Sequence, residues 1–125
     1  MLREASVTPF LGATDLKRAR AFFEGVLGLE VVSVDGFALV LRTGSGTIRV
    51  TQVETAANAP YTVLGWDVPD VASAVRELAA RGVAFNRYPG MEQDELGVWI
   101  APSGSRIAWF LDPDGNVLSL AQHPS

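Results

Sequence analysis

The sequence predicts an α+β fold made of two βαβββ modules in a single chain. Three observations carry that prediction. The stretch Asp112-Pro113-Asp114-Gly115-Asn116 places turn chemistry at every position between the apolar runs Trp109-Phe110-Leu111 and Val117 to Gln122, an antiparallel hairpin. Each half holds a capped helix, opened by Thr14 or Asp15 in the first and by Asp70 in the second, with one apolar stripe and a glycine at its end. The order also recurs by offset. Thr8 stands seven residues before Asp15 and Val63 seven before Asp70, an offset of 55, while Ile48 to Gln52 matches Leu118 to Gln122 at an offset of 70. A longer loop after Tyr88 absorbs the difference, and neither half alone buries its sheet.

In chain order, Ala5 to Leu11 reads as a strand, with Pro9 favouring an edge because it lacks a donor. Gly12 to Asp15 reads as a turn, and Thr14 or Asp15 caps a helix running to about Leu27, with Gly28 at the C′ position. Leu16, Ala19, Phe23, Val26 and Leu27 form its stripe. Leu29 to Val34 and Phe37 to Leu41 are strands joined at Asp35-Gly36, and Thr47 to Val53 follows the turn Thr43 to Gly46. The first module covers residues 5–54 and the linker 55–60.

The second module covers residues 61–123. Tyr61 to Val68 is a strand, and Asp70 caps a helix striped by Val71, Ala74, Val75, Leu78 and Ala79 and ended by Gly82. Val83 to Tyr88 reads as a strand and Pro89 to Leu96 as an acidic loop. Gly97 to Ala101 and Ser105 to Leu111 are strand pieces around the Pro102 to Gly104 turn, and the closing hairpin completes the order.

Composition narrows the function. A net charge of −4 and a pI near 4.8 argue against nucleic acid and anionic membrane surfaces as partners. No apolar run is long enough to span a bilayer, and Met1-Leu-Arg-Glu lacks a secretory signature, so a cytoplasmic protein is expected. The absence of cysteine removes disulfides, thiolate nucleophiles and zinc ribbons. His123, the sole histidine, has no partner nearby in sequence for a Ser-His-Asp set, and Gly44-Ser-Gly46 joins strands instead of opening a phosphate-binding helix. Asp112 and Asp114 resemble a carboxylate pair, but their spacing around Pro113 suits a turn.

Asp15-Leu16 through Phe22-Phe23, Val26-Leu-Gly-Leu29, and Phe110 through Gln122 together resemble the vicinal oxygen chelate superfamily, the glyoxalase, bleomycin-resistance and extradiol dioxygenase group. The resemblance spans essentially the whole chain. It implies paired βαβββ modules forming a curled mixed sheet around a cleft, usually in a homodimer. Enzymes of that group hold a metal through His or Gln on the first strand of each module and, usually, Glu on the last. Carried over, those four positions are Thr8, Arg49, Val63 and Ser119. Thr and Ser are weak neutral donors, Val has none and Arg repels cations, so no metal or other cofactor is expected.

Strand alternation puts Thr8, Phe10, Arg49, Thr51, Val63, Asp67, Val117 and Ser119 on the cleft side. Val7, Leu11, Ile48, Val50, Leu64, Trp66, Leu118 and Leu120 face the helices. Trp99, beside the acidic loop, and Trp109, between two apolar strand faces, join the candidate ligand-binding set. Arg49 either bridges to Asp67 or grips an anionic group on a ligand.

Three readings follow. The leading one is a metal-independent protein that binds a small organic, antibiotic-like molecule. The second is a lyase, isomerase or dioxygenase with an unusual metal site, for which Glu92, Asp94, Glu95 or Asp67 would have to supply ligands. The third is an interaction module with a vestigial cleft.

Overall fold

A computed structural model describes residues 1–125. The fold is α+β, with two four-stranded mixed sheets of matching topology. The chain divides into two compact units, Met1–Ala57 and Asn58–Ser125.

In the first unit a 3-10 turn at Leu2–Glu4 precedes β1 (Phe10–Ala13), α1 (Leu16–Arg20), β2 (Glu30–Val34), β3 (Ala38–Thr43) and β4 (Gly46–Gln52). The sheet order is β1-β4-β3-β2, with β1 parallel to β4 and the other pairs antiparallel. One sheet face, carrying Leu11, Ala13, Leu39, Leu41, Ile48 and Val50, is buried, as are Ala19 and Phe23 of the helical segment. That burial is the main stabilising term of the unit.

Two boundaries differ from the sequence reading. β1 begins at Phe10, not Ala5, and includes Gly12 and Ala13, which were expected in a turn. Proline explains the shift: Pro9 cannot donate to the ladder, so pairing opens with its carbonyl accepting from Arg49 N–H at 2.9 Å. The helix is capped by Asp15, whose Oδ1 accepts from the N–H groups of Lys17 and Arg18. It remains α-helical only to Arg20 and continues as a π-helical turn over Ala21–Val26. Leu27 N–H therefore reaches back five residues to the Phe22 carbonyl, and Gly28 ends the turn at φ 77°. Asp35 sets the β2–β3 corner by accepting from Phe37 and Ala38 N–H.

The second unit runs β5 (Thr62–Asp67), α2 (Val71–Ala80), β6 (Trp99–Ile100), β7 (Arg106–Leu111) and β8 (Val117–Gln122), in the order β5-β8-β7-β6. Asp70 caps α2 through Ser73 N–H, and Val71 and Val75 are buried on its sheet side, as are Ala108, Phe110, Leu118 and Leu120. Trp66 faces this core and stacks on Phe110 with centroids 6.5 Å apart.

Val83 to Tyr88 is not a strand. Only an isolated bridge, Phe85 to Phe110, remains. Side chains replace the ladder there: Gln93 accepts from Tyr88 N–H and donates to the Asn86 and Gly97 carbonyls, while Arg87 donates to the Asp94 and Glu95 carbonyls. The strand expected over Gly97 to Ala101 shrinks to Trp99–Ile100 for the same reason.

The β7–β8 turn forms as its residues dictate. Asp112 is buried, its Oδ1 accepting from Asp114 and Asn116 N–H and its Oδ2 from the Asn116 side chain. Burial pushes its carboxyl above the ordinary range, against the lowering effect of those bonds. Both aspartates are turn residues.

Candidate binding faces and their chemistry

In each unit the sheet face turned away from the buried core carries most of the candidate residues. On the first sheet, cross-strand register aligns Phe10, Arg49, Val40 and Ser33 in one row and Gly12, Thr51 and Ala38 in the next. Thr8 is not in this array. It lies ahead of β1 and is exposed, and Phe10 takes the place across from Arg49.

Arg49 extends from the middle of β4, its guanidinium carbon 6.0 Å from the centre of the Phe10 ring. Phe10 is itself 65% exposed. Arg42, in the adjacent row of the same face, forms an ion pair with Glu30. Arg49 makes no ion pair of this kind. Its charge is felt at Asp35, where backbone hydrogen bonds from Phe37 and Ala38 hold the carboxyl below its ordinary value and Arg49 contributes in the same direction.

On the second sheet, Ser119 aligns with Gly65 on β5 and Trp109 on β7, while Asp67, Ala121 and Ile107 make the neighbouring row. The sequence reading put Val63 and Ser119 together on the cleft side, which would bring Val63 beside Ser119. A register shift between Thr62 and Leu64 gives that place to Gly65. The Ser119 hydroxyl sits so close that a Cβ on Gly65 would stand 2.5 Å from Oγ. Trp109 is contacted by Trp99, centroids 6.1 Å apart, and edge-on by Tyr88 at 5.4 Å. Tyr88 was missed because it closed a predicted strand, and its aromatic character alone did not separate it from core. The result is a half-buried aromatic group of three rings with a hydroxyl beside it.

Asp67 is held within its own unit. Its Oδ1 lies 3.0 Å from His123 Nε2, and His123 Nδ1 lies 2.8 Å from the buried Ser105 hydroxyl. No partner for His123 is readable from the sequence, because Asp67 and Ser105 are distant along the chain and adjacent only once β5 and β7 flank β8. The array has the residue types of a Ser-His-Asp relay, but Asp67 and His123 are largely exposed and Ser105 is buried, which suits a surface tether of the residue that follows β8.

The four positions matched to metal ligands do not fit a metal. Thr8 is ahead of its strand, Arg49 is a cation over Phe10, Val63 has no donor and Ser119 offers one neutral hydroxyl. Nor does either unit gather three His, Asp or Glu side chains that could hold one.

Residues 6–120 match the family described as the Glyoxalase/Bleomycin resistance protein/Dioxygenase superfamily. The chain belongs to this superfamily. Among solved structures, this glyoxalase-superfamily chain is similar to a bleomycin-binding protein complexed with bleomycin, at 24% identity and TM-score 0.73 over 95% of this chain and 98% of that one. It is also similar to an antibiotic binding protein from Streptomyces, at 21% identity and TM-score 0.75 over 99% of each chain. A lactoylglutathione lyase from Agrobacterium tumefaciens gives 21% identity and TM-score 0.75 over 98% and 96%. These likenesses establish the shared fold. No curated protein matches.

Proposed function

We propose that this superfamily member is a metal-independent binding protein for a small organic molecule, acting by sequestering an antibiotic-like compound. One observation carries the reading. The positions that would ligate a metal hold Thr8, Arg49, Val63 and Ser119, while the same sheet faces present aromatic rings, hydroxyls and a guanidinium. Apolar and aromatic surface with a few placed polar groups is the composition of small-molecule sites. The candidate groups are Phe10, Arg49 and Thr51 on the first unit's face and, considered separately, Trp99, Trp109 and Ser119 on the second unit's face. The names of the bleomycin-binding and antibiotic-binding neighbours agree with this direction.

Two of the acids that the metal-dependent alternative would draw on already have partners. Asp67 is engaged by His123, and Asp94 Oδ1 accepts from Leu96 and Val98 N–H. A homodimer in the cytoplasm completes the proposal. The dimer is supported by exposed apolar surface at Val7, Phe37 and Ile100, and no helix is long and apolar enough to cross a membrane.

The test is native mass spectrometry of protein purified from its own host, followed by thermal-shift screening of organic compounds in the presence of a chelator. Stabilisation by a compound under chelation supports binding without metal, because a ligand selective for the native state raises the melting point. Stabilisation that vanishes under chelation contradicts it.

A further inference from the structure

We infer that the ligand is an organic anion with a flat apolar body, its carboxylate or equivalent oxyanion held by Arg49 and its ring laid beside Phe10. This rests on the small-molecule reading above and adds the charge and shape of the ligand. The chemistry comes from a contrast on a single sheet face. Arg42 and Arg49 occupy adjacent rows of that face, and only Arg42 has a carboxylate, Glu30, bonded to it. Among nearby acids, Asp35 already turns its Oδ1 to the Phe37 and Ala38 N–H groups. The Glu30 carboxylate is occupied by Arg42.

Arg49 is held without a bonded counter-ion, since Asp35 acts on it only through space. Its backbone is fixed on both sides of β4, paired with Phe10 on β1 and Val40 on β3. The guanidinium lies near the Phe10 ring, a contact that does not use its N–H groups as hydrogen-bond donors. A guanidinium presenting parallel N–H donors matches a carboxylate or similar oxyanion in two-point geometry. Phe10 at 65% exposure and the half-buried Val40 next to Arg49 supply apolar surface for the rest of the molecule, and Thr51 supplies a hydroxyl one row away. A neutral or cationic ligand would leave this charge uncompensated when the face is covered, and an unpaired charge withdrawn from water is strongly unfavourable.

The experiment is calorimetric titration of 2-naphthoate and its neutral isostere 2-naphthamide into wild type, Arg49→Met and Arg49→Lys. Arg49 is exposed and unbonded, so both variants should retain the wild-type melting temperature, which is checked first. The expected result is tighter binding of the naphthoate by wild type, a loss of tenfold or more in Arg49→Met, and partial recovery in Arg49→Lys. The preference for naphthoate over 2-naphthamide should be largest in wild type and should disappear in Arg49→Met. Equal naphthoate affinity in wild type and Arg49→Met overturns the inference while leaving the small-molecule reading standing. Binding of neither compound to wild type at millimolar concentration also overturns it, and the small-molecule reading is then decided separately by the co-purification and chelator experiments.

Discussion

The imidazole of His123 joins the two strands on either side of its own, with Nε2 3.0 Å from Asp67 Oδ1 at the end of β5 and Nδ1 2.8 Å from the Ser105 hydroxyl just before β7. The two bonds are unequal in value. Asp67 is mostly exposed, so its hydrogen bond with His123 contributes under about 1 kcal/mol, whereas Ser105 is buried and would lose one of its bonding partners. His123→Ala should therefore cost about 1–2 kcal/mol in urea denaturation and Asp67→Asn less. A larger loss in Asp67→Asn would show that the carboxylate, not the serine, anchors the residue that follows β8.

Gly65 and Ser119 form a second close pair. Gly65→Ala sets a methyl 2.5 Å from Ser119 Oγ, and the hydroxyl must rotate away. The expected cost is about 1 kcal/mol after the intrinsic gain of alanine over glycine in a strand. Gly65→Ala combined with Ser119→Ala should recover most of it, since the nearest remaining Ser119 atoms lie at 3.5 Å or more. Additive losses in the double-mutant cycle would rule out this contact as the reason for the glycine.

A third prediction concerns pH. Burial raises the Asp112 carboxyl above 3.8, so between the unfolded and folded values the native state binds more protons than the unfolded state. The stability from that difference is fully present below pH 3.8 and is lost as pH rises through the raised value. Asp112→Asn cannot titrate and also sets two amide groups against each other at Asn116, so it should be less stable by about 1–2 kcal/mol at neutral pH. The gap between wild type and Asp112→Asn should widen as pH is lowered through the carboxylate range. A gap that narrows on acidification would show that the hydrogen bonds, not burial, dominate at this carboxyl.

Homodimer formation predicts twice the 13.4 kDa chain mass by light scattering at micromolar concentration. A single-chain mass there would refute the proposed dimer.

Much of the architecture was legible because its signals are local. Asp70 and Gly28 marked helix ends through cap chemistry, the Thr14–Asp15 pair bracketed the first helix start that Asp15 makes, and Asp112 to Asn116 marked the last hairpin. Errors arose where tertiary partners overrode local pattern. Val83 to Tyr88 alternates like a strand, yet Gln93 and Arg87 satisfy nearby backbone groups that a ladder would have used. Thr8 and Val63 were matched by spacing alone, whereas Pro9 and the register shift before Leu64 move the pairing to Phe10 and Gly65. The His123 contacts required sheet order, which no short window of sequence contains.

The most direct test of metal-independent binding is calorimetric titration of a compound that stabilises the protein, carried out on metal-analysed protein with and without EDTA. The expected result is the same affinity in both, with well under one equivalent of zinc, nickel, iron or manganese per chain. An affinity that is lost on chelation and restored by adding back one of those ions would contradict it.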